Sequence, residues 1–532
     1  MVGLQDGGHE DSKYRMKGWR LRKYLTSLGV VFSLLLIFLL MVQRYALPST
    51  VGSANNNLHA KNIANGVPRL RQTVATAEEE YPIGFARIPQ IPAGASHPDD
   101  GKLHVIFSSG CNYFQHWQSE LLLATAKLVG QRGRITRIVS GCHDRTAEKI
   151  RHTHQTFPEG RNDLLVPMAK LNRSINENFG LYITPSFDGA RDFPWINKPS
   201  SIEYFMQHAR PELDRMGETV IAILDPDFLF LRPLSQSDTD PANIITSRGQ
   251  EKDPEANKPL DWVKLGRPVA QRYGLEGGWV HMFGDKLVDI VGDSSSPALT
   301  WTSREAAQHT SVGPPLMLHV DDLTKLSKLW AKYMRPVLEH EKDILADMWA
   351  YSIASAHLGL KHTTLDQYMV STSGRSGQAY PFIDVKDLSC RNPLSTPANR
   401  LPVFIHMASN FKAPDRYKGP WMFHKGHVPA DILECDSPLI IQPPDDLWRM
   451  TDEPKAKQNA WILCHAIYYL NHVASLYKEK FCKPGYENRQ LVKLIQRKST
   501  DLRCSETKDK WCYPIAQIEG LGDEWRSKLR DA

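Results

Sequence analysis

A mixed α/β fold with a mostly parallel sheet is predicted for the ordered part of this 532-residue chain. Apolar runs of strand length alternate with amphipathic stretches at helical spacing, and the alternation opens as strand, helix, strand, which requires a parallel pair. A hydrophobic content of 41% over this length can also bury a large core. The formal charge of +6 is spread over 65 basic and 59 acidic residues, so composition gives no basic face of the kind nucleic acid requires.

The order begins at 102–109, "KLHVIFSS", a β-branched and aromatic strand run. Next come "FQHWQSELLLATAKLV" (114–129), with leucines at helical spacing, and the strand "ITRIVSG" (135–141). "TVIAILDPDFLFL" (219–231) supplies a buried strand and "PPLMLHV" (314–320) another, the latter entered through Gly313-Pro314-Pro315, which reads as a turn. Helices are expected at 321–339 and 343–359, and a late strand at 401–408, "LPVFIHMA". Beyond 443 the pattern becomes one amphipathic helix, 459–481, and a charged tail. Residues 444–532 are therefore expected to form a helical, cysteine-containing appendage to a domain at 101–443.

The N-terminus carries a different pattern. Residues 24–43, "YLTSLGVVFSLLLIFLLMVQ", are uncharged, and about 20 such residues suffice for a helix to cross a bilayer. Six Lys and Arg residues lie between Lys13 and Lys23, against Arg44 on the other side, so the positive-inside rule keeps residues 1–23 cytosolic and sends the rest to the lumen. A cleaved signal peptide would have a shorter apolar core and a small-residue cleavage site, so an uncleaved signal anchor is expected. Residues 44–100 are rich in Ser, Asn, Pro and Ala and read as a flexible stem. All eight cysteines follow the anchor and none forms a CxxC motif; in an oxidising lumen disulfides are expected. Asn172-Arg173-Ser174 is a glycosylation sequon consistent with that compartment.

Asp225 and Asp227 stand one residue apart where the strand of 219–231 gives out. Ligands of open α/β sheets gather at the carboxyl ends of strands, and residues at i and i+2 share a direction. Two hard carboxylate ligands there suit Mg²⁺ or Mn²⁺ with positions left for phosphate oxygens. Locally, an Asp-Pro turn with a capping carboxylate fits equally well. Asp238 and Asp240 repeat the D-x-D spacing within "SQSDTDPA", and there a solvated turn is the simpler reading.

"LHVIFSS", "HWQ", "TRIVSG", "WINKPSSIEYFM", "ILDPDFLFLRPL", "RPVA", "VGPPLMLHVDDLTKLSKLW", "DMWAYSIASA" and "FIHMASNFK" occur in an order and spacing that resembles the plant and algal hydroxyproline O-arabinosyltransferases and peptidyl-serine α-galactosyltransferases. The resemblance covers about 103–439. It implies a GT-A-like domain in a type II protein of the Golgi or ER membrane, and metal-dependent, retaining transfer of arabinose or galactose from a UDP-sugar to hydroxyproline or serine of a secreted protein or peptide. By the same resemblance Asp225, Asp227 and His406 would hold Mn²⁺ or Mg²⁺, Asn197, Lys198 and Lys412 would contact the donor, and Asp347 would stand near the anomeric carbon. Taken singly, Lys198 also fits a surface charge, Asp347 a solvated helix position and His406 a satisfied core histidine. Trp117 fits the core better than a site. Residues 247–280 and the cysteine-bearing tail depart from the family pattern. A membrane-anchored glycan-binding or scaffold protein of the same fold is the competing class, and a glycosidase is disfavoured because its paired carboxylates flank the bond from separate elements.

Overall fold

The computed structural model describes residues 102–142, 179–235, 263–380, 401–443 and 453–482, with short breaks at 191–192, 218, 343, 373–377, 414–420, 430 and 436, together with Leu447 and three two- or three-residue strands beyond 490. The expected membrane span 24–43, the stem, the Asn172 sequon and Asp238 and Asp240 lie outside the described residues. Among the described residues no helix is long and apolar enough to cross a membrane.

The first unit is β1 (Leu103–Gly110), α1 (Tyr113–Leu128) and β2 (Arg134–Ser140), with the Asn112 side chain capping α1 by accepting from the Gln115 N–H. There follow β3 (Phe179–Ile183), α2 (Asn197–Met216), β4 (Val220–Leu224), β5 (Phe228–Phe230) and β6 (Val269–Arg272). Three short helices, α3 (Gly278–Phe283), α4 (Leu287–Val291) and α5 (Ser303–His309), lead to β7 (Val312–His319) and then to the long α6 (Val320–His340) and α7 (Ala346–His357). Short strands complete the domain: β8 (Thr363–Leu365), β9 (Met369–Val370), β10 (Phe404–His406), β11 (Phe411–Ala413), β12 (Trp421–Phe423) and β13 (Leu439–Ile440). The last helix, α8, is Pro454–Phe481.

The main sheet has seven strands in the order β3-β2-β1-β4-β7-β6-β8. Four of its pairings, β3 with β2, β2 with β1, β1 with β4 and β6 with β8, are parallel; β7 runs antiparallel to both neighbours. This mixed, mostly parallel sheet fits a GT-A-like fold. Side chains alternate across it as a pleated strand requires. Ile221 and Ile223 of β4 face the α2, α6 and α7 side, whereas Val220, Ala222 and Leu224 face the side of Leu122, Leu123 and Phe404. A second, three-stranded sheet in the order β5-β10-β9 continues from the end of β4.

Gly313-Pro314-Pro315 does not form the expected turn but lies within β7. The partner strand β6 shifts register between Ala270 and Gln271, so that Ala270 faces Leu316 and Gln271 faces Gly313. The bulge passes over the two prolines, which have no N–H to donate to a ladder.

α8 shares one apolar cluster with the preceding segments: Trp461, Leu463, Ile467, Leu470 and Val473 pack in the same core as Trp117, Leu229, Ile405, Met407 and Phe423. Trp117 is thus a core residue, as its helical spacing implied. The Cys435–Cys482 disulfide, closing 47 residues, ties the helix end to the preceding segment. A second bridge joins Cys111 to Cys142, Cys464 is also disulfide-bonded, and no described cysteine is free.

Burying five large side chains of α8 contributes about 10 kcal/mol at roughly 2 kcal/mol each, comparable to a whole domain's net stability. A chain ending at residue 443 is therefore expected to lack a cooperative thermal transition and to aggregate. Size-exclusion chromatography and calorimetry against the full chain check this; a monodisperse, cooperatively melting truncation would show that the helix is dispensable.

Candidate functional site

The site is assembled where β4 ends. Asp225 follows Leu224 directly, and Asp227 precedes β5. β5 pairs antiparallel with β10 so that Phe228 faces His406, and the Met407 N–H donates to the Asp227 carbonyl at 3.0 Å. That pairing carries His406 across more than 170 residues of sequence to Asp227: its Nε2 lies 3.4 Å from Asp227 Oδ1. One ligand atom from each of Asp225, Asp227 and His406 falls within 4.8 Å of the others. Two carboxylates and an imidazole at this spacing can hold a divalent cation of the Mg²⁺ or Mn²⁺ class, so the donor set fits such an ion.

Two helix starts bring the remaining groups. α2 begins at Asn197, with Pro199 tolerated in its first turn. Its Lys198 Nζ bridges Asp225 Oδ1 at 2.6 Å and Asp347 Oδ2 at 3.2 Å, Asp347 being in the first turn of α7. Trp330 of α6 holds this corner, since its indole N–H donates to the Asp347 carbonyl at 2.7 Å and its ring lies 5.8 Å beneath Lys198 Nζ. The Asn197 Oδ1 is buried and has no hydrogen-bond partner among the described residues, which leaves an acceptor available beside Lys198.

Lys425, which the sequence did not single out, donates to Asp227 Oδ2. It lies in a helical turn, Lys425–His427, just after β12. Lys412, expected at the donor site, stands on β11 opposite Met422; the ammonium that reaches Asp227 is that of Lys425. Tyr273, the residue after β6, places its Oη 3.1 Å from His406 Nδ1. The segment 247–280 departs from the family pattern, and no local motif marks Tyr273. Lys425 follows an aromatic strand and sits between two histidines, a setting with no recognisable spacing to the aspartates 198 residues away.

The electrostatics follow from these contacts. Burial opposes charge on Asp227, but the charges of Lys425 and His406 and their hydrogen bonds outweigh it and hold the carboxyl well below its usual range. Burial likewise opposes the Lys198 ammonium, and the Asp225 and Asp347 carboxylates more than offset it, so its pKa is raised. Asp347 goes the other way: burial raises its pKa, Lys198 works against that rise and Asp225 adds to it. Asp225 and Asp227 thus differ in surroundings, with side chains 24% and 5% exposed.

No family model matches the chain. It is 25% identical over 283 residues to the peptidyl serine alpha-galactosyltransferase of Arabidopsis thaliana. The matched region is 51% of this chain and 28% of that protein, so the chain spans little more than a quarter of this relative's length. The similarity supports a distant relationship to glycosyltransferases.

Lys198→Met leaves two carboxylates facing each other without their shared cation, and should destabilise the metal-free protein by about 3 kcal/mol, the scale of a broken buried pair. Since burial already raises the Asp347 pKa, protonation relieves the repulsion at low pH, and the deficit should grow as pH rises through that pKa. Adding Asp347→Asn should recover part of the loss. Denaturant unfolding with a chelator present, at about pH 5 and about pH 8, measures both effects; a double variant no more stable than Lys198→Met would show that the pairing is not what the lysine supplies.

Proposed function

We propose that the chain is a metal-dependent glycosyltransferase that moves a sugar from a UDP-sugar to a hydroxyl of a secreted or cell-wall protein, with serine or hydroxyproline as acceptor and arabinose or galactose as the sugar. The observation that carries this reading is the convergence of Asp225, Asp227 and His406 at the end of the central strand, with Lys198 and Asp347 alongside. The distant likeness to a peptidyl serine galactosyltransferase supports it independently.

In this reading the three ligands hold Mn²⁺ or Mg²⁺, which when bound supplies neutralisation of the charge developing on the departing diphosphate. Asn197 and Lys198 contact the donor through the free acceptor and the ammonium. Lys425 offers a further positive charge beside Asp227 for the diphosphate, in addition to that of Lys412. Asp347, held against Lys198, faces the reacting centre and stabilises an oxocarbenium-like sugar. Transfer retains anomeric configuration, and the departing phosphate itself takes the acceptor proton, so no dedicated base is required. The retained Asp225–Asp227 pair favours this reading over an inactive binding protein, in which its loss would be expected.

Asp225→Asn and Asp227→Asn should each lower Mn²⁺-stimulated UDP release by about a hundredfold or more, with unfolding still cooperative but the melting temperature lowered, because each removes the carboxylate of an ion pair. Asp238→Asn and Asp240→Asn should change little. The full chain is assayed against a panel of UDP-sugars with serine and hydroxyproline peptides. Near-normal turnover in both Asp225 and Asp227 variants at low Mn²⁺ would mean that the pair is structural.

The segment 24–43 is proposed as the anchor of a type II protein of the Golgi or ER membrane, supported by its length and flanking charge. A C-terminal tag should survive protease in intact microsomes and be digested once detergent is added. Digestion without detergent would overturn the topology.

A further inference from the structure

We infer that Tyr273 is the residue that positions His406 for the cation, by accepting a hydrogen bond from Nδ1–H so that the Nε2 lone pair is presented beside Asp227. The inference rests on the metal reading above and assigns a task to a residue outside the ligand set.

The imidazole of His406 is held on three sides. Phe228 stacks on its face, with ring centroids 4.4 Å apart and planes inclined by 19°. Nε2 points to Asp227 Oδ1 at 3.4 Å, and Nδ1 to Tyr273 Oη at 3.1 Å. A neutral imidazole carries one proton; to bind a cation through Nε2 it must carry that proton on Nδ1, and the proton then needs an acceptor. Tyr273 Oη is placed to accept it, because its own hydrogen is directed to Met369 Sδ at 3.6 Å.

The backbone around Tyr273 is fixed independently of His406. Its N–H donates to the Ser311 carbonyl at 2.9 Å, and its carbonyl accepts from the Ser311 hydroxyl, which also receives the N–H groups of Leu275 and Glu276 at 3.0 Å each. The ring lies directly over Gly313 of β7, where a Cβ would meet Tyr273 ring carbons at 2.5–2.6 Å. Glycine at 313 is therefore what lets the ring lie on the strand and reach His406; Gly313 pairs with Gln271, two residues before Tyr273.

The test is Mn²⁺ binding to the full chain without any sugar donor, followed by electron paramagnetic resonance of the free ion, for wild type, Tyr273→Phe, Tyr273→Leu and Asp227→Asn. If the hydroxyl orients the ligand, Tyr273→Phe should lose about tenfold in Mn²⁺ affinity, the lower end of what an outer ligand partner contributes, with thermal unfolding unchanged. A merely packing role predicts instead that Phe restores wild-type affinity and only Leu fails. Wild-type affinity in Tyr273→Phe, alongside loss in Asp227→Asn, overturns the assignment of Tyr273 and leaves the metal site standing. Absence of Mn²⁺ binding by wild type overturns both.

Discussion

Three carboxylates, Asp225, Asp227 and Asp347, meet at the end of one buried strand, and like charges in a low-dielectric setting persist only where positive groups stand between them. Lys198 bridges two of them, and Lys425 pairs with the third, beside which His406 lies. Much of the architecture follows from bringing these groups together. α2 must start at the carboxyl end of the sheet to bring Lys198, α7 must start there to bring Asp347, and the second sheet must return β10 against β5 to bring His406. Lys198, Lys425 and the three carboxylates each have a partner of opposite sign within 4 Å, which is the condition for burying them at all.

The same arrangement accounts for the chain after residue 400 being part of the domain. The segment from β10 to the turn after β12 carries His406 and Lys425, and its Met407, Phe411 and Phe423 lie in the core that α8 closes. Removing the last helix would expose the support of two site residues without touching either. The Cys435–Cys482 bridge adds to this by limiting how far the helix end can separate from the chain that precedes it.

His406 illustrates how the site depends on strands with no charged residue in common with it. Its position comes from β5–β10 pairing, its ring plane from Phe228, and its Nδ1 partner from Tyr273, which in turn depends on Gly313 of β7. Four separate segments agree on one imidazole. An orientation specified so redundantly suits a ligand, whose usefulness falls off over tenths of an ångström.

The sequence by itself determined the α/β class, the succession of the first strand, helix and strand, the two long helices, and the importance of the strand ending in Asp225 and Asp227. These features are local: hydrophobic periodicity over ten to twenty residues reports which face is buried, and a carboxylate pair at the end of an apolar run is visible without knowing the neighbours. Asn197, Lys198, Asp347 and His406 came only through resemblance to a family, and Lys425 and Tyr273 came from neither. Only the tertiary structure decided that Lys425 meets Asp227, that Gly313 to Pro315 continue a strand, and that α8 packs into the domain's core. The reason is physical: which lysine reaches a carboxylate depends on strand pairing between segments about 200 residues apart. Whether two prolines sit in a turn or a strand depends on a bulge in a partner strand, which nothing in their own neighbourhood records.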